Sequence, residues 1–130
     1  WVASDLGSEQ TVSEVEVVWH LQHARRYEVQ TSRDGLTWNS GAVHVVGAED
    51  DASSTLAVRT PLPDVPARYV RVWMVSPAAA LRGNSSAGYS IYELRACARP
   101  AAQPGVPTGR CAAAASGLHL LHFEVLTELP

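Results

Sequence analysis

Tyr27-Glu28-Val29-Gln30-Thr31-Ser32-Arg33-Asp34-Gly35-Leu36-Thr37-Trp38 is the stretch on which the fold reading turns. Tyr27, Val29 and Thr31 alternate with Glu28, Gln30 and Ser32, which places the two sets on opposite faces of an extended strand. Asp34-Gly35 then supplies a tight turn, because glycine takes positive φ without steric cost, and Leu36 and Trp38 resume the apolar beat.

The same period of two extends outward in both directions. Val15, Val17 and Trp19 alternate with Glu14 and Glu16, and Val43, Val45 and Val46 make a short apolar run broken at Gly47. Leu56 and Val58 make another. Pro61-Leu62-Pro63-Asp64-Val65-Pro66 is expected to be a loop across an end of the fold, since each proline removes a ladder donor. Tyr69 to Val75 is the most apolar strand, with Val70, Val72 and Met74 on one face and Tyr69, Arg71, Trp73 and Val75 on the other. Residues 76–88 read as a long Ala-, Gly-, Ser- and Asn-rich loop, and a last strand is expected from about Tyr89 to Ala96. No helical stripe is sustained between residues 1 and 97. Short strands with frequent turn signals make this an all-β domain, a sandwich or a barrel.

The chain has 130 residues, 46% hydrophobic and 18% charged, with a net charge of −3. That is enough for one domain with its own core. It holds no apolar run of membrane-spanning length and no secretory signal pattern at Trp1. An acidic chain without a basic stripe is a poor nucleic-acid binder. All ten Lys+Arg residues are Arg; scattered as they are, they fit a GC-rich coding bias better than one guanidinium-lined site. The start at Trp1 rather than Met leads us to expect a piece of a longer protein. After Cys97 the character changes. Residues 98–117 are an Ala/Pro/Gly-rich linker, and residues 118–130 are an apolar tail that suits a following strand or a short helix equally.

Four ordered motifs carry a family resemblance. They are Trp1 with Asp5-Leu6-Gly7; Tyr27, Val29, Ser32, Asp34, Gly35 and Trp38; Ala67-Arg68-Tyr69-Val70-Arg71-Val72; and Gly88-Tyr89-Ser90-Ile91-Tyr92-Glu93-Leu94. In order and spacing, residues 1–97 resemble the discoidin family, also known as the F5/8 type C or family 32 carbohydrate-binding fold. The resemblance implies a jelly-roll β-sandwich of the galactose-binding-domain-like type. Such modules are usually non-catalytic and are carried by secreted glycosidases, adhesion proteins or membrane-binding proteins. The motif residues themselves are expected to build the fold rather than bind ligand, with Trp38 and Tyr69 in the core. Family members also carry roughly one or two further strands before the first motif. Those strands supply part of a calcium site and one wall of the ligand site, so the sandwich is expected to be incomplete at its N-terminal side.

By the same resemblance, the sugar-binding end combines the loop at 20–26 with the loop at 76–88. Sugar sites need an aromatic face for the pyranose and planar polar groups for its hydroxyls. His20, Gln22, His23, Arg25 and Arg26 in the first loop, and Arg82, Asn84 and Tyr89 in or near the second, are the candidate ligand-binding residues. The first loop is short and lacks Asn, so galactose specificity does not carry over. Glu93 matches a calcium ligand of many relatives, but calcium takes roughly six to eight oxygens. No cofactor is expected in this fragment, with calcium a matter for the full-length domain; otherwise Glu93 is a strand carboxylate paired near Arg95 or Arg71.

Other chemistry is sparse. His20/His23 and His119/His122 are spaced His-x-x-His but lack the further ligands that zinc needs. Glu49, Asp50 and Asp51 read as a solvated acidic turn rather than a glycosidase pair. No nucleophile elbow or phosphate loop occurs, so no enzyme is expected. Cys97 and Cys111 close a small loop if the compartment is oxidising and stay free thiols in the cytosol. Asn84-Ser85-Ser86 is a glycosylation sequon; with the resemblance it favours a secreted setting. The leading expectation is therefore an extracellular, non-catalytic carbohydrate-binding module. The alternatives are a protein- or phospholipid-interaction module, with Leu21, Arg25, Arg26, Leu81 and Arg82 at its loop tips, and a structural accessory domain of a larger secreted enzyme.

Overall fold

The computed structural model describes residues 1–20, 22–48, 55–78, 88–98, 112–113 and 120–121. These form strands β1 (Val2–His20), β2 (Ala24–Ser32), β3 (Val43–Val45), β4 (Thr55–Pro77), β5 (Ile91–Ala98), β6 (Ala112–Ala113) and β7 (Leu120–Leu121), with no α-helix among them. The hydrogen-bonded order is β3-β2-β4-β1-β5-β6, with β7 also on β1, and every pairing is antiparallel.

Two long strands turn this ladder into a sandwich. The first part of β1 pairs Val2–Asp5 with the Tyr69–Val72 part of β4, whose other side carries β2 and then β3. The rest of β1 pairs with Thr55–Ala67 of β4 on one side and with β5 on the other. The register shifts between these halves, at Asp5/Gln10, and again within the second, at Val12/Glu14. Such bulges bend a strand and raise its twist, which lets β1 and β4 pass from one layer to the other. Gly7, at φ +80, sits in the first irregularity, and its N–H donates to Asp5 Oδ1 at 2.8 Å.

Period-two alternation delivers the core. Val15, Val17 and Trp19 of β1, Tyr27 and Val29 of β2, and Val70 and Val72 of β4 are fully buried in one cluster. Trp19 and Tyr27 meet edge-on across it, their centroids 5.2 Å apart. Burial pushes the Tyr27 phenol up to about 12, the nearby Trp19 indole and Thr60 hydroxyl pulling the other way. None of those three buried polar atoms completes a hydrogen bond of good geometry among the described residues.

Several expectations need correction. The Pro61–Pro66 segment is not a loop but part of β4, with Pro61 opposite Glu14 and Pro66 opposite Thr11. The objection to proline is weaker here because this half of β4 has β1 on one side and no described strand on the other. Pro63 falls inside the register shift between Pro61 and Val65, where the ladder is already interrupted. Pro66 adjoins the register shift, and Asp64 (φ 51) marks a local distortion. The Leu56–Val58 and Tyr69–Val75 strands are accordingly one. Leu36 and Trp38 do not resume a strand: Leu36 is 85% exposed, and beyond the turn the chain meets β2 through the isolated Thr31–Asn39 bridge and the bond from Val29 N–H to Ala42 O at 3.0 Å. The last strand begins at Ile91 rather than Tyr89 and continues to Ala98. Ala112–Ala113, within the expected linker, pairs with β5, and Leu120–Leu121 of the tail pairs with Ala3 and Ser4.

Candidate functional site

The end of the sandwich at which β1 gives way to β2 is assembled by backbone bonds. His20 N–H donates to Ser90 O at 2.9 Å, Ser90 N–H to Gln22 O at 2.8 Å, and Ala78 N–H to His23 O at 3.3 Å. Ala78 and Ser90, which flank residues 79–87 in the sequence, are thereby drawn against residues 20–23. The side chains divide into separate roles. His20 is half-buried, its Nδ1 3.1 Å from Ser90 Oγ and its ring 4.7 Å from that of Tyr92. Gln22 is half-buried and Arg26 exposed. Arg25 is drawn inward, Nη1 donating to Val46 O at 2.7 Å. Tyr89 is half-buried against the core, and burial raises its pKa.

His23 must be removed from the ligand-binding set. It is fully buried, with no ring surface left for a sugar. Arg82 and Asn84 lie outside the described residues, as do Leu21, Leu81, the acidic run from Glu49, His119 and His122. Sequence reasoning missed Tyr92, which is 61% exposed at this end and held against His20. An exposed aromatic at the head of the last strand was the available signal.

Glu93 is held by Arg95, whose Nε donates to Oε1 at 2.6 Å and Nη2 to Oε2 at 2.5 Å. This matches the strand-carboxylate alternative. Among the described residues no three His, Cys, Asp or Glu side chains come together to hold a metal ion. Cys97 is disulfide-bonded; Cys111 lies outside the described residues.

The motif residues meet elsewhere, on the outer face of the β3-β2-β4-β1 layer. Arg71 lies over three indoles, 4.1 Å from the Trp38 centroid, 4.9 Å from Trp73 and 5.7 Å from Trp1. Its Nε donates to Gln30 Oε1 at 2.8 Å, a second bond runs from Nη2 to the same oxygen, and Gln30 Nε2 donates to Glu28 Oε2 at 2.9 Å. Burial draws the Arg71 pKa down, with Glu28 acting against it. Arg68 forks onto Asp5 with two 2.9 Å bonds and lies over the Tyr69 ring. Tyr69 also packs on Gly35, where an added Cβ would meet the ring at 3.4 Å. Trp38 and Tyr69 are thus half-buried on this face and not in the core. Period two had already assigned Tyr69 to the face opposite Val70, and the Arg71 guanidinium gives Trp38 a polar-sided seat.

The family model for the F5/8 type C domain matches residues 1–94. The chain belongs to that family. Among solved structures, this F5/8 type C chain is similar to chitosan-binding module 1 of a chitosanase/glucanase from Paenibacillus sp. IK-5. The identity is 25% and the TM-score 0.56, over 72% of this chain and 64% of that one. It shares its fold with chitosan-binding module 2 of the same enzyme, solved with chitotriose, at 24% identity and a TM-score of 0.56, over 72% and 66% of the two chains. The F5/8 type C chain thus spans just under two thirds of each module's length. No curated protein matches it by sequence. The discoidin-like β-sandwich expected from the four motifs is the observed fold.

Proposed function

We propose that the chain is a non-catalytic carbohydrate-binding module acting outside the cell, its ligand a glycan gripped at the end where residues 20–26 meet Ala78 and residues 88–92. The observation that carries this is the likeness to a chitosan-binding module at 25% identity and a TM-score of 0.56. The local geometry supports it: Tyr92 offers an exposed ring with the His20 ring beside it, and the backbone of Gln22 is tied to Ser90 in the same stretch. A stacking ring plus a few fixed polar groups is the minimum a pyranose needs. The oxidised state of Cys97 and the sequon at Asn84 support an extracellular setting.

Titration with chitotriose, cellotriose and galactose, followed by calorimetry and by retention on insoluble chitosan, tests this reading. Binding to at least one glycan, weakened by Tyr92→Ala and Gln22→Ala, is the expected result. Absence of binding to all of them and across a glycan array refutes it. Retention on anionic liposomes in that case would favour a membrane-surface role.

A further inference from the structure

We infer that the outer face of the β3-β2-β4-β1 layer is a second glycan-binding surface, centred on Trp73 and Glu28; this rests on the carbohydrate reading above. Cross-strand register builds the surface. Glu28 stands opposite Val43 on one side and Trp73 on the other, giving a row Val43–Glu28–Trp73 over three strands. One step along, Gln30 stands opposite Arg71. Directly opposed side chains on one face have Cβ atoms about 4.5–5.5 Å apart. Trp73 and Glu28 are therefore within one sugar ring of each other.

The chemistry favours a polyhydroxyl ligand over an apolar one. Four of the exposed large hydrophobic residues are Val43, Val45, Trp73 and Val75, on the two strands that flank β2. Between them runs a charged and polar column, Arg26, Glu28 and Gln30. Protein–protein contacts are depleted of charge at their centres, because covering a carboxylate with apolar surface strips its water without replacement. A sugar offers both requirements at once: an apolar ring face to lie on Trp73 and hydroxyls to replace water around Glu28. The polar groups are also fixed in advance. Arg71 is stacked among Trp1, Trp38 and Trp73 and bonded to Gln30, which is bonded to Glu28. Such a chain lowers the entropy lost when ligand docks.

Labour on this face is divided. Trp1, Trp38 and Arg71 belong to the fold's own motifs and make the pad. Trp73 and Glu28 fall outside those motifs, so ligand contact can vary there without loss of fold. Trp73 is 37% exposed, a ring seated at its edge with surface left to offer.

The test uses the whole chain with chitotriose, cellotriose and insoluble chitosan as probes. Trp73→Ala and the shape-preserving Glu28→Gln are compared with Tyr92→Ala, and the indole N–H resonances of the wild type are followed during titration. The expected result is a loss of about tenfold or more in affinity for Trp73→Ala, a smaller loss for Glu28→Gln, and movement of the Trp73 indole signal in the wild type. Glycan binding by the wild type that leaves the Trp73 signal still, and that only Tyr92→Ala weakens, overturns the second surface and leaves the loop-end reading standing. No glycan binding by the wild type overturns both. A self-association abolished by Trp73→Ala, with no effect on glycan affinity, reassigns the face to contact between copies and also overturns the proposal.

Discussion

Replacing Glu16 with Gln is expected to remove a pH-dependent brace from the second layer. Glu16 lies in register between Arg59 of β4 and Arg95 of β5, accepting from Arg59 Nε at 2.9 Å and from Arg95 Nη1 at 2.8 Å. Its side chain is only 6% exposed, whereas the two arginines are 55% and 46% exposed. A buried charged hydrogen bond contributes about 1.5–3 kcal/mol, and solvent around the arginines cuts that toward the ~0–1 kcal/mol of surface pairs. Glutamine keeps the volume and one acceptor but loses the charge, so the expected loss is about 1–2 kcal/mol, a fall in Tm of roughly 3–10 °C at pH 7. The sign with pH follows from the direction of the shift: the hydrogen bond from Arg59 leads in holding the Glu16 pKa below its usual 4.5, against the cost of burial. Its stabilisation is therefore complete above the unfolded carboxylate pKa and lost as pH falls through the lower folded value. Thermal melts of both proteins between pH 7 and pH 2 should show a gap at neutral pH that closes in acid. A gap of the same size across that whole range, or none at pH 7, would refute the reasoning.

Other perturbations probe other levels of the structure. Tyr27→Phe removes a buried hydroxyl with no well-formed hydrogen bond, so the variant should match or exceed wild-type stability; a chemical-denaturation loss above about 1.5 kcal/mol would show that the phenol is satisfied. Val17→Ala empties fully buried volume beside Trp19 and should cost about 2–3 kcal/mol in the same assay. Gly41→Ala would put a Cβ 1.5 Å from the Val29 carbonyl oxygen, so the 33–42 connection must shift; a lower Tm and altered amide signals in β2 and β3 are expected. Asp34→Ala removes the acceptor of the Leu36 and Thr37 N–H groups, the bonds that with Ser32 draw Asp34 down to about 2. The wild type should lose stability as pH falls from about 4 toward 2, and the variant should lack that acid-limb contribution when melts are followed by circular dichroism.

Much of this protein is determined one strand at a time. The period-two sets around Val15–Trp19, Tyr27–Thr31 and Val70–Met74 chose their faces correctly because a residue's side is a local property of extended backbone. The Asp34-Gly35 turn was legible for the same reason, and four short motifs placed the chain in its family. What lay beyond the sequence depends on which strands become neighbours. Pro63 fits β4 because it falls in the register shift opposite Val12–Glu14, which only the pairing of β1 with β4 creates, and Trp38 lies outside the core because the fold sets it against Arg71. His23 lies in a loop by sequence but inside the protein by packing, whereas Tyr92 turns outward at the same end. The opposition of Glu28 to Trp73 is decided by register, which joins residues 45 positions apart by sequence number and leaves no periodic trace in either strand.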